Sequence, residues 1–161
     1  MRDLAFFDID GVLANDTHRV DHALATPRRW SQYFAPSALA ADGVWEQGRE
    51  LLNQHASEGW LICYMTGRRE DLRWVTQAWL SRHGFPVGAL YMRPMKVKVP
   101  LARFKADLME RMVRVADGAR VVLYDDDPEV IRVVQERLGE EVAVHCTWHV
   151  KQTALVKSAL T

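Results

Sequence analysis

Short apolar runs alternate along the chain with stretches in which apolar residues recur every three or four positions. Leu4-Ala5-Phe6-Phe7-Asp8-Ile9 reads as a buried strand stopped by Gly11. Trp60-Leu61-Ile62-Cys63-Tyr64-Met65 reads as a second strand, Ala89-Leu90-Tyr91-Met92 as a short third, Arg120-Val121-Val122-Leu123-Tyr124 as a fourth and Val142-Ala143-Val144-His145-Cys146 as a last. Between them Val44, Gly48, Leu51 or Leu52, and His55 recur at helical spacing, with Gly59 as a stop. Leu72, Val75, Trp79 and Leu80 predict a helix ending near Gly84. Leu101, Phe104, Leu108, Met112 and Val115 predict a long helix opened by Pro100. Asp127-Pro128 opens another, with Asp127 as its N-cap, Val130, Ile131 and Val134 on one side and Gly139 after it. Residues 14–42 are mixed and broken by Thr26-Pro27 and Ala35-Pro36-Ser37; they read as short helices forming a small lid. Residues 150–161 read as a helical tail.

Strands alternating with helices argue for a parallel sheet covered on both faces. The strands are continuous apolar runs, as expected when both sheet faces are buried. There is no internal repeat and no low-complexity segment.

Composition narrows this picture without redirecting it. A chain of 161 residues predicts one domain, 1–161, with the lid at 14–42 inside it. Hydrophobic residues at 48% and charged residues at 26% exclude a disordered chain. Two cysteines, Cys63 and Cys146, make no disulfide framework and read as free thiols in a reducing cytoplasm. The apolar run Leu4–Phe7 is too short for a signal-peptide core or a membrane span. Net charge is zero, so no global field draws the protein to nucleic acid. The charge is unevenly placed, however: Arg93–Arg114 has an excess of five positive charges and Asp125–Glu141 an excess of five negative ones. If the fold joins them, a carboxylate nest lies beside a basic rim, although most such charges sit on solvated helix faces.

Polar residues gather just beyond three strand ends: Asp8 and Asp10, then Thr66-Gly67-Arg68, then Asp125-Asp126-Asp127. In open α/β sheets ligands bind outside the carboxyl ends of the strands. Carboxylates from two separate loops suit Mg²⁺, which prefers oxygen ligands. The cation would offset the charge of a phosphate and admit an anionic nucleophile, and a carboxylate can attack phosphorus. Thr66 with the backbone N–H groups of Gly67 and Arg68, at an expected helix start, makes an anion site. Lys105 lies in the apolar stripe Leu101, Leu108, Met112, so its ammonium should reach inward to carboxylates or a phosphate. His18 and His22, and His145 and His149, are four apart, but no four-ligand zinc set is visible. His18 and Arg19 are placed on the lid side of the site.

Phe7-Asp8-Ile9-Asp10-Gly11-Val12-Leu13, Met65-Thr66-Gly67-Arg68, Phe104-Lys105 and Tyr124-Asp125-Asp126 resemble, in order, the four motifs of the haloacid dehalogenase (HAD) superfamily of phosphohydrolases. Thr17-His18-Arg19, Trp30–Tyr33, Trp79-Leu80 and Leu90-Tyr91-Met92-Arg93-Pro94 further resemble the phosphatase domain of phage and bacterial polynucleotide kinase–phosphatases. The resemblance implies a Rossmann-like, HAD-type three-layer α/β fold with a small lid inserted after the first strand. It implies Asp8 as nucleophile and metal ligand. Asp10 would be the general acid/base, with its backbone carbonyl on the metal. Thr66 and Lys105 would hold the transferring phosphoryl group, Asp125 would bind Mg²⁺ and Asp126 would support it. Gly67, Arg68 and Arg93 would face the substrate.

The expected activity is a Mg²⁺-dependent phosphomonoester hydrolase acting through phospho-Asp8 on nucleic-acid 3′-phosphate ends or nucleotides. A small lid implies a fairly open mouth, and the Arg93–Lys98 segment would receive a polyanion. A small-metabolite phosphatase is the rival within enzymes, and a phosphate-accepting signalling or binding domain without turnover is the rival from another class. A separate kinase or ligase partner and a homo-oligomer are left open. Motif I here ends in Gly11-Val12 where Gly-Thr is usual, and the loop Met95-Lys96-Val97-Lys98-Val99 lacks the Asp and Arg that related domains carry there. No kinase module is present: Gly43–Glu50 has P-loop glycine spacing without the Lys and Ser/Thr.

Overall fold

The structure is a computed structural model that describes residues 1–96 and 98–148. The expected tail helix at 150–161 lies outside the described residues. In chain order the elements are β1 (Leu4–Phe7), β2 (Ala14–Asn15), α1 (Val20–Leu24), α2 (Trp30–Tyr33), α3 (Pro36–Ala40), β3 (Gly43–Val44), α4 (Glu46–Ser57), β4 (Leu61–Arg69), α5 (Arg73–Arg82), β5 (Leu90–Arg93), α6 (Leu101–Val115), β6 (Val121–Asp125), α7 (Pro128–Leu138) and β7 (Ala143–His145). Short 3₁₀ turns precede α1, α5 and β7. None of the described helices is long and apolar enough to cross a membrane.

Five strands form one parallel sheet in the order β5-β4-β1-β6-β7. The alternation of side chains along β1 shows why its run is apolar throughout. Ala5 and Phe7 pack with Leu52 of α4, Tyr64 of β4 and Trp79 of α5 on one face. Phe6 packs with Met65 of β4, Leu101 and Leu108 of α6 and Val130 of α7 on the other. The result is the three-layer Rossmann-like α/β architecture expected from the sequence.

The connectivity sets the location of the crevice. From β1 the chain builds outward through β4 to β5, then returns across the sheet through α6 to place β6 on the other side of β1. The strand order therefore reverses at β1, and the carboxyl ends of β1 and β6 form the switch point where such sheets bind ligands. Phe7 pairs with both Tyr64 and Tyr124, so Asp8, Thr66 and Asp125 emerge at one edge.

Just after β1 the chain turns tightly. The Ile9 carbonyl accepts the N–H groups of Leu13 (2.9 Å) and Ala14 (2.8 Å), and Gly11 sits at φ 85°, a conformation that a side chain disfavours. Residues 14–44 then leave the sheet. The antiparallel ribbon β2–β3 closes the base of this excursion, and α1, α2 and α3 lie within it.

One expectation is corrected. Thr66-Gly67-Arg68 does not open a helix. These residues continue β4 as far as Arg69, which pairs with Arg93 of β5 after an irregularity in register beyond Met65. A 3₁₀ turn at Glu70–Leu72 follows, and α5 begins only at Arg73. Thr and Gly are poor helix formers, and β5 pairs with β4 on either side of them, at Met65 and at Arg69. The charge excesses also divide as solvated faces do: Arg132 pairs with Glu129 and Glu136 on the exposed side of α7, and Arg137 reaches Asp107 of α6.

Helix α4 crosses the β1 loop at very short range. A Cβ on Gly48 would lie 1.9 Å from the Val12 carbonyl oxygen, a backbone atom with nowhere to go. We expect Gly48→Ala to destabilise the fold by about 1–3 kcal/mol or more, while Gly43→Ala, whose Cβ would meet nothing nearer than 3.9 Å, stays far closer to the parent. Urea unfolding of the two variants checks this.

Candidate active site

Asp8 follows β1 directly. Its backbone N–H donates to the Tyr124 carbonyl (3.0 Å), which ties the start of the loop to β6. Its Oδ1 accepts the Ile9 N–H at 2.9 Å. Across the switch point, Asp125 ends β6, and its Oδ1 accepts the Asp127 N–H at 2.9 Å. Asp127 is the N-cap of α7, as expected, accepting from the Glu129 N–H at 2.9 Å. Lys105 projects from the buried face of α6 between the two strand ends. Its Nζ lies 3.1 Å from Asp8 Oδ1 and 2.5 Å from Asp125 Oδ2. The inward reach expected from the stripe of α6 is thus what the ammonium does. Thr66 is fully buried in the second half of β4, where its Oγ1 accepts the Arg68 N–H at 3.1 Å.

Asp8, Asp125 and Asp126 each offer a carboxylate oxygen, and the three oxygens lie within 4.8 Å of one another. Burial and the neighbouring Asp125 push the Asp126 carboxyl well above the ordinary carboxylate range, and burial with Asp125 also raises Asp127. Among the described residues seven aspartates are buried (8, 10, 16, 42, 125, 126 and 127) against Arg19, Arg68 and Lys105. A buried surplus of hard oxygen donors is the environment that a divalent cation fits.

The carboxylate of Asp10 is not part of this group. It faces the other way, into a ring of ion pairs. Its Oδ1 accepts from Arg19 Nη2 (2.6 Å) and Arg68 Nη2 (2.7 Å), and its Oδ2 from Arg68 Nε (3.1 Å). Asp42 closes the ring, taking Arg19 Nε and Nη2 at 2.8 Å each and Arg68 Nη2 at 3.1 Å. Burial alone would raise the Asp10 carboxyl, but Arg68 and Arg19 outweigh it and hold it well below the usual range. Arg19 sits over the Tyr33 ring at 4.4 Å, and the Tyr33 hydroxyl donates to Asp16 Oδ2 at 2.7 Å. His18 Nε2 lies 2.9 Å from Asp42 Oδ1.

The sequence-predicted residues therefore divide. Asp8, Asp125, Asp126 and Lys105 come together, with Thr66 at the same sheet edge. Arg68 lies against Asp10, Asp42 and Thr76 rather than on a helix start. Gly67 and Arg93 line a separate cleft of about 910 Å³, whose walls also include Trp30, Phe34, Arg69 and Lys98. Arg93 donates to the Val99 carbonyl, and partial burial lowers its pKa. The open mouth expected above the reacting groups is corrected: Asp8, Thr66, Lys105, Asp125 and Asp126 are all shut off from solvent, and the open cleft lies beside them at Gly67. Asp42, Asp16 and Thr76 were not anticipated. Asp42 lies in the mixed stretch before Gly43, where no periodicity marks it as buried.

Comparison with known proteins gives a family. Residues 5–131 match the family model described as "PITM 1-3, LNS2 domain". No curated protein matches in a sequence search. Among solved structures, a chain of the "Pnkp1/Rnl/Hen1 RNA repair complex" superposes with a TM-score of 0.73 at 16% identity, over 91% of this chain and 42% of that one. The chain thus spans less than half the length of that neighbour. A predicted phosphatase from Clostridium acetobutylicum gives 0.66 at 13% identity over 99% and 91% of the two chains. A phospho-aspartyl intermediate analogue of phosphoserine phosphatase gives 0.58 at 12% identity over 98% and 90%. At these identities the likeness is one of fold, and the superfamily resemblance of the sequence fits it.

The acidic cluster generates a two-part expectation. A divalent cation held by Asp8, Asp125 and Asp126 raises the thermal midpoint, by the equivalent of about 2.7 kcal/mol at a hundredfold excess over Kd. Asp126→Asn removes the cost of carrying a carboxyl whose ionisation burial and Asp125 oppose, so it raises the midpoint of the cation-free protein at neutral pH while abolishing the cation-dependent increment. Calorimetric scans with a chelator and with millimolar Mg²⁺ check both parts.

Proposed function

The chain belongs to the family described as the PITM 1-3 LNS2 domain, and from that premise we propose that it is a magnesium-dependent phosphomonoester hydrolase working through an aspartyl-phosphate. The observation that carries this reading is the meeting of Asp8, Asp125 and Asp126 around Lys105 at the switch point of the sheet. A nucleophile and a cation-binding set joined by one ammonium suit the transfer of a dianionic group better than they suit any merely structural purpose.

In this reading an Asp8 carboxylate oxygen attacks phosphorus in line, the ester P–O bond breaks, and the leaving oxygen takes a proton from Asp10. Water then attacks the same phosphorus. Asp10 accepts its proton, the acyl-phosphate P–O bond breaks, and phosphate leaves with Asp8 restored. Lys105 and Thr66 hold the oxygens of the transferring group. Mg²⁺ on Asp8, Asp125 and Asp126, with the Asp10 carbonyl, would supply charge neutralisation that lets one anion approach another. Two guanidiniums on Asp10 favour its ionised form, which suits the second displacement directly. For the first, they favour leaving groups that depart with little protonation.

The substrate class we favour is a nucleic-acid 3′-phosphate end or a nucleotide. Support comes from the cleft at Gly67, where Trp30 and Phe34 stack at 6.1 Å in a lining that also holds Arg69, Arg93 and Lys98. Aromatic faces and cations lining one cleft suit a base joined to a phosphate. The RNA-repair setting of one structural neighbour accords with this reading, and with a separate kinase or ligase as partner. Arg68 acts in this scheme through Asp10, and Gly67 and Arg93 face the leaving group. The free buried thiols Cys63 and Cys146 suit a reducing cytoplasm. A small phosphorylated metabolite is the second reading, favoured by the complete burial of Asp8.

Asp8→Asn should fold and lose Mg²⁺-dependent phosphate release from p-nitrophenyl phosphate entirely. Retained turnover removes Asp8 as nucleophile. Across a panel of 3′-phosphorylated oligonucleotides, mononucleotides and small phosphomonoesters, the highest kcat/KM should fall on the oligonucleotide or a nucleotide. A preference for a non-nucleotide ester selects the second reading.

A further inference from the structure

We propose that Asp42 is a positioning residue for Asp10, acting through Arg19 and Arg68. The proposal rests on the phosphohydrolase reading above. The four side chains form a closed ring in which carboxylates and guanidiniums alternate: Asp10, Arg19, Asp42, Arg68 and back to Asp10. All four are buried, so the ring balances its charge away from bulk solvent, with only the Asp10 carboxylate retaining slight access. Each guanidinium Nη2 bridges the two carboxylates. Neither arginine can shift from Asp42 without shifting on Asp10.

Asp42 itself is pinned from several directions. Its carbonyl accepts the Trp79 Nε1–H of α5 at 2.9 Å, and its N–H donates to the Leu39 carbonyl at 3.2 Å. The next residue enters β3, which pairs with β2, and beyond it the Trp45 N–H donates to the Leu13 carbonyl at 2.8 Å. Arg68 is anchored separately by Thr76 Oγ1 at 3.2 Å, and Arg19 by the Tyr33 carbonyl at 3.3 Å. Asp42 is thus the rigid member against which both arginines are set, and Asp10 is the member adjoining the reacting groups. Charge-assisted forks of this kind fix orientation as well as charge. The arrangement makes a distant aspartate, 32 residues along the chain from Asp10, part of what aims the proton-transferring carboxylate.

The consequence is specific to one half of the reaction. p-Nitrophenolate departs without a proton, so the first displacement proceeds with Asp10 misaligned. The second displacement, in which Asp10 takes a proton from water, does not. Stopped-flow measurement with p-nitrophenyl phosphate and Mg²⁺ separates the halves. Asp10→Asn should give a burst of nitrophenol close to one per chain, then turnover slowed by about 10²-fold. Asp42→Asn should keep a burst close to one per chain and slow steady turnover, by up to about 10²-fold for a displacement of the order of 1 Å, with KM falling alongside kcat so that kcat/KM holds. Asp42→Glu should restore part of the rate. The double variant should be no slower than Asp10→Asn alone, because both changes act at one carboxylate.

Wild-type turnover in Asp42→Asn overturns the proposal. So does a burst that shrinks in proportion to turnover, which reports fewer folded sites, and so does slowing that multiplies with that of Asp10→Asn. If Asp42→Asn does not fold, Arg19→Lys carries the same test, since one ammonium keeps the charge but loses the paired Nε and Nη2 hold on Asp42 that fixes the fork's orientation; unchanged turnover in that variant also overturns the proposal. A wild-type protein with no turnover on any phosphomonoester removes the phosphohydrolase reading itself, and the positioning role with it, a result distinct from an active parent that is indifferent to Asp42.

Discussion

Burying carboxylates without enough cations to balance them is the constraint from which the organisation of this molecule follows. Two like unit charges 4 Å apart repel by about 4 kcal/mol even at an effective dielectric constant of 20. Seven buried aspartates face three buried cations among the described residues, and all seven belong to or adjoin the excursion after β1 and the loop after β6. A chain selected for stability alone would replace such groups by apolar ones at little loss. The retained surplus is therefore best understood as a site built for a charge the polypeptide does not supply. Burial and the neighbouring Asp125 push the Asp126 carboxyl upward at that site.

The three cations do not spread evenly. Lys105 serves the Asp8–Asp125 side, while Arg19 and Arg68 serve Asp10 and Asp42. This partition gives the two aspartates of the first motif opposite surroundings only two residues apart. Asp8 shares a compact ammonium with a second carboxylate and stands next to a cation-binding set. Asp10 is held by planar forks that fix its orientation and its ionisation. Divergent environments for paired carboxylates are the usual means of giving them different tasks.

Much of this was legible in the chain, and for identifiable reasons. The strands were legible because both faces of β1, β4 and β6 are covered, so their runs are apolar without interruption. Lys105 was legible because a charge inside the stripe of a long helix has to go inward and find a partner. The Asp127 N-cap was legible from the proline that follows it. The start of α5 was not: Thr66-Gly67-Arg68 carries the look of a helix entrance, and only pairing of Arg69 with Arg93, a contact between distant segments, keeps it in the sheet. Asp42 was not legible either. Its burial depends on partners at positions 19, 68 and 79, and no local pattern registers a contact of that range.

The excursion between β1 and α4 acquires a definite physical purpose from this. The central strands bring Asp10 to the edge of the sheet, and β4 supplies one guanidinium from Arg68. A single arginine would leave the Asp10–Asp42 pair with an uncompensated buried charge, and among the described residues the remaining buried cation, Lys105, is committed to Asp8 and Asp125. The second guanidinium, Arg19, and its carboxylate counterpart, Asp42, both come from the excursion, from its first turn and from its last residue before β3. The ribbon β2–β3 clamps those two ends together, so the ring can close only when the whole segment is folded. The short helices between, which pack through a cluster of Val20, Ala23, Tyr33, Trp30 and Phe34, are thereby tied also to the electrostatic requirement of Asp10.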